Sequence, residues 1–229
     1  MFQFIRTFVL YAKVARVQTL VMSFLPCVLA YVYCKPRISN FSAFILVCVA
    51  IILFHLSVNT ISEYRDCVNG VDNPNSPGTK YRLVTGIVPK QSILYLGLIA
   101  FCIASICGII AVMQSSFILI IPGLLAGCIV FSYSERPLCI KYKGLGELAV
   151  FLCYGLLLGF STVYAATGSC SVIDILVFIP GALLIVNVLL VNNIRDYFFD
   201  KLRITTLTTI IGIENSYSLL YTIFCISVL

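Results

Sequence analysis

The sequence predicts an all-α, polytopic transmembrane helical bundle of about seven spans, and three observations carry the prediction. The first is composition: 61% of the 229 residues are hydrophobic and 10% are charged, with a mean hydropathy of +1.07, whereas soluble domains run nearer half apolar and about a quarter charged. The second is run length. Crossing the hydrocarbon core takes roughly 20 apolar residues per helix, because each backbone amide must find its partner inside its own segment, and the chain supplies such runs repeatedly. The third is charge placement: thirteen of the fifteen Lys and Arg residues fall in alternate connections, the pattern of the positive-inside rule.

Taken in order, the N-terminal arm carries Arg6, Lys13 and Arg16 and offers no small-residue cleavage site after a short apolar region, so the first span, about 17–34, is read as retained. Lys35 and Arg37 follow it and are the two basic residues on the opposite side. The second span, about 42–62, leads into a charged connection with Arg65, Lys80, Arg82 and Lys90. Spans three (about 92–113) and four (about 115–133) are joined by a short uncharged turn, Met113 to Ser116, and spans five (about 146–168) and six (about 172–194) by Gly168 to Ser171. Arg136, Lys141 and Lys143 follow span four; Arg195, Lys201 and Arg203 follow span six.

The last run, from about 215 to Leu229, rises only about 22 Å, short of a hydrocarbon core of about 30 Å. The single membrane-embedded domain, 1–229, is therefore expected to be C-terminally short. The N-terminus and the even-numbered connections are expected on the cytoplasmic side of an inner-membrane-type protein in contact with the lipid bilayer. The net charge of +6 is on this reading a topology signal, and no nucleic acid is expected as a partner. The eleven cysteines lie mostly within spans, at Cys27, Cys48, Cys102, Cys107, Cys128 and Cys153, without CxxC spacing or His partners suited to zinc, and read as small core hydrophobes.

Chemistry is expected where the charges gather. Eight of the nine acidic residues share the cytoplasmic face, Asp174 being the exception. Span two ends in Asn59-x-x-x-Glu63-x-x-Asp66 and span six in Asn192-Asn193-x-x-Asp196-x-x-x-Asp200, spacings that put each set on one helical face. This echo, four spans apart, suggests a duplicated four-helix unit. Each stripe is a hard-oxygen ligand set suited to Mg²⁺, which binds through one or two carboxylates, waters and substrate phosphates. Both stripes lie near helix C-termini, where the macrodipole disfavours each negative charge by about 0.3–1 kcal/mol; a bound cation offsets that, with Arg65, Arg195 and Lys201 as lesser contributors. Solvated helix ends are the plainer alternative, and two matched stripes weigh against it. Lys80, Arg82, Lys141, Lys143, Arg195 and Lys201 are candidate phosphate contacts, although each alone also reads as a topology residue.

At this point the residues resemble the UbiA superfamily of intramembrane prenyltransferases, and within it the 1,4-dihydroxy-2-naphthoate polyprenyltransferases of menaquinone synthesis. The family's first aspartate-rich segment is met by Ser62-Glu63-Tyr64-Arg65-Asp66 and Gly70-Val71-Asp72, followed by Arg82-Leu83-Val84-Thr85-Gly86. The middle loop is similar at Tyr133, Pro137, Lys141, Tyr142 and Gly144-Leu145-Gly146-Glu147, the second aspartate-rich motif at Asn192-Asn193-Ile194-Arg195-Asp196 and Asp200, and the opening at Arg16, Thr19 and Pro26. Three departures stand out. Ser62 and Glu63 replace an Asn-Asp pair, the lysine expected soon after Asp200 is missing, leaving Lys201 or Arg203 to substitute, and the family generally has nine helices.

The resemblance implies transfer of a polyprenyl group from a polyprenyl diphosphate to an aromatic acceptor, 1,4-dihydroxy-2-naphthoate with loss of its carboxyl group. It implies Mg²⁺ held by Asn59, Glu63, Asp66, Asp72, Asn192, Asp196 and Asp200; diphosphate contacts from Lys80, Arg82, Lys141, Arg195 and Lys201; and catalytic roles for Asp66, Asp196, Tyr133 and Lys143. Tyr64, Tyr133, Tyr142 and Tyr197 lie beside the motifs, where an aromatic face could stabilise an allylic cation, though interfacial belt tyrosines look the same. His55, one turn before Asn59, reads as a hydrogen-bonded core histidine, with placement of the acceptor as the other reading. Other acceptors (4-hydroxybenzoate, homogentisate, a lipid alcohol) and a relative that binds without turnover stay open. A transporter is disfavoured, since these spans hold no acidic residue in their middle thirds.

Overall fold

The computed structural model describes residues 2–75, 81–135 and 137–228. Among these the chain is helical, and its one β-type pairing is an isolated parallel bridge between Lys143 and Thr205. The helices are α1 (Phe2–Val14), α2 (Val21–Cys34), α3 (Phe41–Val68), α4 (Tyr81–Val84), α5 (Lys90–Gln114), α6 (Ile120–Ser132), α7 (Gly146–Phe151), α8 (Leu158–Thr167), α9 (Val172–Leu176), α10 (Ile179–Asp200), α11 (Leu207–Ile211) and α12 (Ile213–Val228), with a π-helical stretch at Leu152–Leu157 between α7 and α8.

Among the described residues five helical runs are long and apolar enough to cross a membrane: Val17–Arg37, Phe41–Val68, Lys90–Gln114, Gly146–Thr167 and Val172–Asp200, with Phe117–Ser132 shorter. All six sit where the apolar runs predicted them. The seventh, α12, is a helix of 16 residues, too short on its own for a core of about 30 Å. The largest boundary differences are at the charged ends, where α3 continues to Val68 and α10 to Asp200, so the acidic stripes are carried on regular helix. At 28 residues α3 is about 42 Å long and exceeds the hydrocarbon thickness, which carries its last turns into the polar interface.

Local chemistry sets these limits. Asn40 caps α3, its side chain accepting from the Ala43 amide at 2.9 Å, and the helix ends where Gly70 turns left-handed at φ 72°, leaving the Val71 and Asp72 amides to bond the Asp66 carbonyl at 3.0 and 3.2 Å. A reciprocal Ser171–Asp174 capping box opens α9. Asp174, the one acid away from the others, also accepts from Tyr33 Oη and Arg37 Nη2, both at 2.8 Å, and so ties α2 to α9 at the far end of the bundle.

Helices α3 and α5 pack closely. A Cβ on Gly97 would meet Thr60 Oγ1 at 2.5 Å and Ile61 Cγ1 at 2.9 Å, and Ser57 Oγ donates to the Gly97 carbonyl at 2.9 Å, so the two backbones approach as closely as small residues allow. A second core joins α2, α3 and α8 through Cys27, Ala30, Cys34, Phe44, Cys48, Leu158, Val163 and Phe178. The cysteines divide. Cys27, Cys34, Cys48 and Cys139 are buried, whereas Cys102, Cys128 and Cys225 are exposed on the helix surface. The expectation of core positions thus fails at Cys102 and Cys128, because a thiol is apolar enough to face hydrocarbon as readily as a protein interior.

Candidate active site

The C-terminal turns of α3 and α10, over a hundred residues apart in sequence, face one cavity of ≈ 310 Å³. Asn59, Glu63 and Asp66 line it from α3; Asn192, Arg195, Asp196 and Asp200 line it from α10. Tyr133 and Lys141 enter from the loop after α6. Away from this polar end the walls are apolar, among them Ile51, Phe54, Leu119, Leu157 and Leu158. Glu63 and Asp66 are each 1% exposed, Asp196 6% and Asp200 4%, a degree of burial that carboxylates reach only when paired or ligated.

The chain supplies their counter-ions. Arg16 pairs with Glu63, Asp66 receives both Lys141 Nζ and Tyr142 Oη, and Arg195 forks onto its neighbour Asp196 through Nε at 2.7 Å and Nη2 at 2.8 Å. Ser62 acquires a use: its hydroxyl accepts from Lys141 Nζ at 3.2 Å and from Ser134 Oγ at 2.8 Å, steering the lysine toward Asp66. Charge on one partner supports charge on the other. The Glu63 carboxylate holds the Arg16 guanidinium above its ordinary range against the opposing effect of burial, with Asp66 adding to it. Burial is the largest single influence on Lys141 and works against its charge, yet the charge and hydrogen bond of Asp66, with Tyr133 adding to them, together hold the ammonium above its ordinary value. The Tyr142 hydroxyl is pushed well up by burial and by Asp66, and stays protonated as a donor.

Local backbone makes these contacts reachable. Arg16 sits left-handed at φ 52°, ψ 40°, a conformation that costs a non-glycine residue about 1–2 kcal/mol. It turns the chain from α1 into the first span, and Thr19 fastens the turn by giving both its amide and its hydroxyl to the Arg16 carbonyl at 2.8 Å. The loop bearing Lys141 and Tyr142 is joined to the segment after α10 by the Lys143–Thr205 bridge and by Gly144 N–H to the Thr205 carbonyl at 3.0 Å.

Not every residue singled out in the sequence reaches the cavity. Asp72 is buried beside the end of α3 without lining it. Arg82 lies over the Tyr81 ring at 5.7 Å. Lys143 is exposed, donating to the Pro137 carbonyl at 3.3 Å, and with Lys201 it lines a separate outer recess. Lys80 lies outside the described residues. Of the four motif tyrosines Tyr133 lines the cavity and Tyr142 reaches Asp66, whereas Tyr64 and Tyr197 sit beside Arg65 and Lys201. The Arg16–Glu63 pair and the Ser62 contact went unread in the sequence, because a left-handed arginine before a span looks like any topology charge.

The donor set suits a magnesium ion shared with a substrate. Glu63 Oε2 is buried without a hydrogen-bond partner, and hard oxygens converge from two helices. Among the described residues no three His, Cys, Asp or Glu side chains are grouped to hold a metal unaided; magnesium commonly completes its shell with substrate phosphates and waters.

The chain matches the UbiA prenyltransferase family over residues 23–229. It is 31% identical over 220 residues to a 1,4-dihydroxy-2-naphthoate octaprenyltransferase from Bacillus subtilis (strain 168), covering 94% of this chain and 70% of that protein. It is 26% identical over 158 residues to the protein of the same name from Mycobacterium leprae (strain TN), where 68% of this chain covers 53% of the relative. In three dimensions it aligns with the structure of a UbiA homolog from Archaeoglobus fulgidus bound to DMAPP and Mg²⁺, at a TM-score of 0.70 and 17% identity over 95% of this chain and 75% of that one. A bundle of apolar spans with this chain-wide match is an integral, multi-pass membrane protein, and it belongs to the UbiA prenyltransferase family.

Proposed function

We propose that this chain, acting as one membrane-embedded domain, transfers a polyprenyl group from an allylic polyprenyl diphosphate to an aromatic acceptor, and that the acceptor is 1,4-dihydroxy-2-naphthoate, in menaquinone synthesis. One observation carries the reading: the two carboxylate-bearing helix ends share a cavity that is acidic and basic at one end and apolar at the other, the division a prenyl diphosphate requires. The names of the Bacillus and Mycobacterium relatives favour the naphthoate, and the homolog structure bound to DMAPP and Mg²⁺ favours a metal-assisted departure of diphosphate.

On this reading Asn59, Glu63, Asp66, Asn192, Asp196 and Asp200 are the residues that would hold Mg²⁺, with Asp72 supporting the end of α3. Mg²⁺, when bound, supplies charge neutralisation to the departing diphosphate. Arg16, Lys141 and Arg195, already poised at the carboxylates, would turn donors toward the phosphate oxygens as the acids take up the metal, so the pocket exchanges partners without exposing a bare buried charge. Tyr133 faces the cavity beneath and offers its ring to the allylic cation. The apolar walls hold the isoprenoid tail and exclude water, which would otherwise capture that cation. The charged end faces the cytoplasm on this proposal.

The test offers the full chain one polyprenyl diphosphate with 1,4-dihydroxy-2-naphthoate, 4-hydroxybenzoate and homogentisate, in Mg²⁺ and in EDTA. Product from the naphthoate in Mg²⁺ alone is expected; product from 4-hydroxybenzoate alone overturns the acceptor, and turnover undiminished in EDTA overturns the metal.

A further inference from the structure

His55 lies about 6 Å along α3 from Asn59, facing the same cavity but on its membrane-buried side. It belongs to a polar cluster that the diphosphate end does not use. Nδ1 meets Ser23 Oγ at 2.8 Å and Tyr154 Oη at 2.9 Å, and these two hydroxyls are 3.2 Å from each other. Ser23, His55 and Tyr154 all line the cavity. Tyr154 reaches His55 from the π-helical stretch Leu152–Leu157, an irregularity that occurs mostly as single widened turns inside α-helices and is frequent at functional sites. An ionisable side chain and two hydroxyls at hydrocarbon depth are costly unless they serve a ligand or one another.

The network assigns the imidazole tautomer. The Thr19 hydroxyl spends its hydrogen on the Arg16 carbonyl at 2.8 Å and accepts from Asn59 Nδ2 at 2.9 Å. Its 3.4 Å contact with His55 Nε2 therefore has the imidazole as donor, leaving Nδ1 to accept from Ser23 or Tyr154. At that length the Nε2–H bond is weak. A donor held in place from behind by two hydroxyls, and only weakly engaged by Thr19 in front, is open to a better-placed oxygen from a ligand.

We propose that His55, oriented by Ser23 and Tyr154, is the acceptor subsite: its Nε2–H donates to a ring oxygen of a hydroxylated aromatic lying between Asn59 and the apolar walls. The inference rests on the prenyl-transfer reading and adds the group that selects the acceptor. The reacting carbon of an allylic diphosphate is one bond from the phosphate, so the acceptor ring has to bind within about a ring's width of the metal-binding end, the spacing that separates His55 from Asn59. A site built to hydrogen-bond a substrate hydroxyl rejects analogues that lack it far more strongly than an apolar pocket rejects added bulk.

The experiment compares His55→Leu, His55→Gln and Tyr154→Phe with the wild-type chain in detergent, measuring KM for 1,4-dihydroxy-2-naphthoate and for the prenyl diphosphate separately. His55→Leu is expected to raise the acceptor KM about tenfold or more, the loss of a buried hydrogen bond, with the diphosphate KM changed less than about twofold. His55→Gln, which keeps a donor near Nε2, restores most of the loss, and Tyr154→Phe gives a smaller rise confined to the acceptor. Parallel rises in both KM values, or an unchanged acceptor KM in Tyr154→Phe and His55→Leu, overturn the subsite. If His55→Leu does not fold, His55→Gln and Tyr154→Phe decide by the same criterion. If the wild type prenylates no aromatic, the functional proposal fails on its own, and naphthoate binding read by fluorescence decides the subsite: weaker binding in His55→Leu supports it, equal binding overturns it.

Discussion

Arg16 couples a strained backbone to a nearly buried carboxylate, and that coupling can be measured. Truncating it leaves Glu63, 1% exposed, without its cation, which costs about 1–3 kcal/mol for an orphaned buried acceptor and more when it is charged. Arg16→Ala is expected to lower the melting temperature in detergent, with Arg16→Lys recovering part of the loss; equal melting of all three proteins would remove the pair from the stability of the fold. Lys141 makes a pH-dependent contribution. Its folded value is raised above the unfolded 10.5, so its stabilisation is complete below 10.5 and is lost only as pH rises through the folded value. The melting difference between wild type and Lys141→Met should therefore stay constant from neutrality to about pH 10 and shrink above it; a gap that changes between pH 6 and 9 would contradict the Lys141–Asp66 pairing. The acids themselves carry the sharpest expectation. Asp66→Asn and Asp196→Asn should each reduce Mg²⁺-dependent transfer by roughly 10²–10³-fold, the scale of losing one group that stabilises developing charge, and full turnover in both would remove the metal role.

At the scale of elements, α3 is the axis of the site, bearing Asn59, Glu63 and Asp66 on one face and Ser57, Thr60 and Ile61 against α5. Gly97 sets that second contact. Gly97→Leu is expected to force the helices apart at a cost of about 1–3 kcal/mol and to lower activity along with stability, since the acidic turn moves with its helix; a melting temperature equal to wild type would mean that α5 does not fix α3. Periodicity made these helices legible, because the acids recur at three and four residues, and hydropathy located six spans to within a few residues except at the two charged ends. Where the reading fell short, the cause is local. Carrying α3 to Val68 depends on Gly70 turning left-handed and on amides bonding the Asp66 carbonyl. The π-helical stretch has no periodic signature in Leu152–Leu157, and exposed Cys102 and buried Cys48 are alike to any pattern that counts only apolarity.

For the whole molecule, the charge asymmetry that forecast topology also concentrates Glu63, Asp66, Asp196 and Asp200 with their cations at one end, and sets the Asp174–Arg37–Tyr33 lock at the other. Proposed orientation follows from that asymmetry. A cysteine at Lys143 should take a membrane-impermeant maleimide in inverted vesicles beyond the wild-type background, and a cysteine at Ser39 only in right-side-out ones; the reverse pattern would invert the molecule. The gathering of the two stripes into one pocket was legible from their matching composition, whereas which bases join them was not, since Lys141 enters and Lys143, two residues on, points away. The same short strap, Lys143 against Thr205 with Gly144 bound to the Thr205 carbonyl, has a consequence for biogenesis. While the ribosome is still delivering the early helices, the pocket has only half its wall. The Lys141 loop gains its docking partner only after the segment around Thr205 has emerged, so a nascent chain stalled before that point would already sit in the bilayer while still unable to close the pocket around a charged guest.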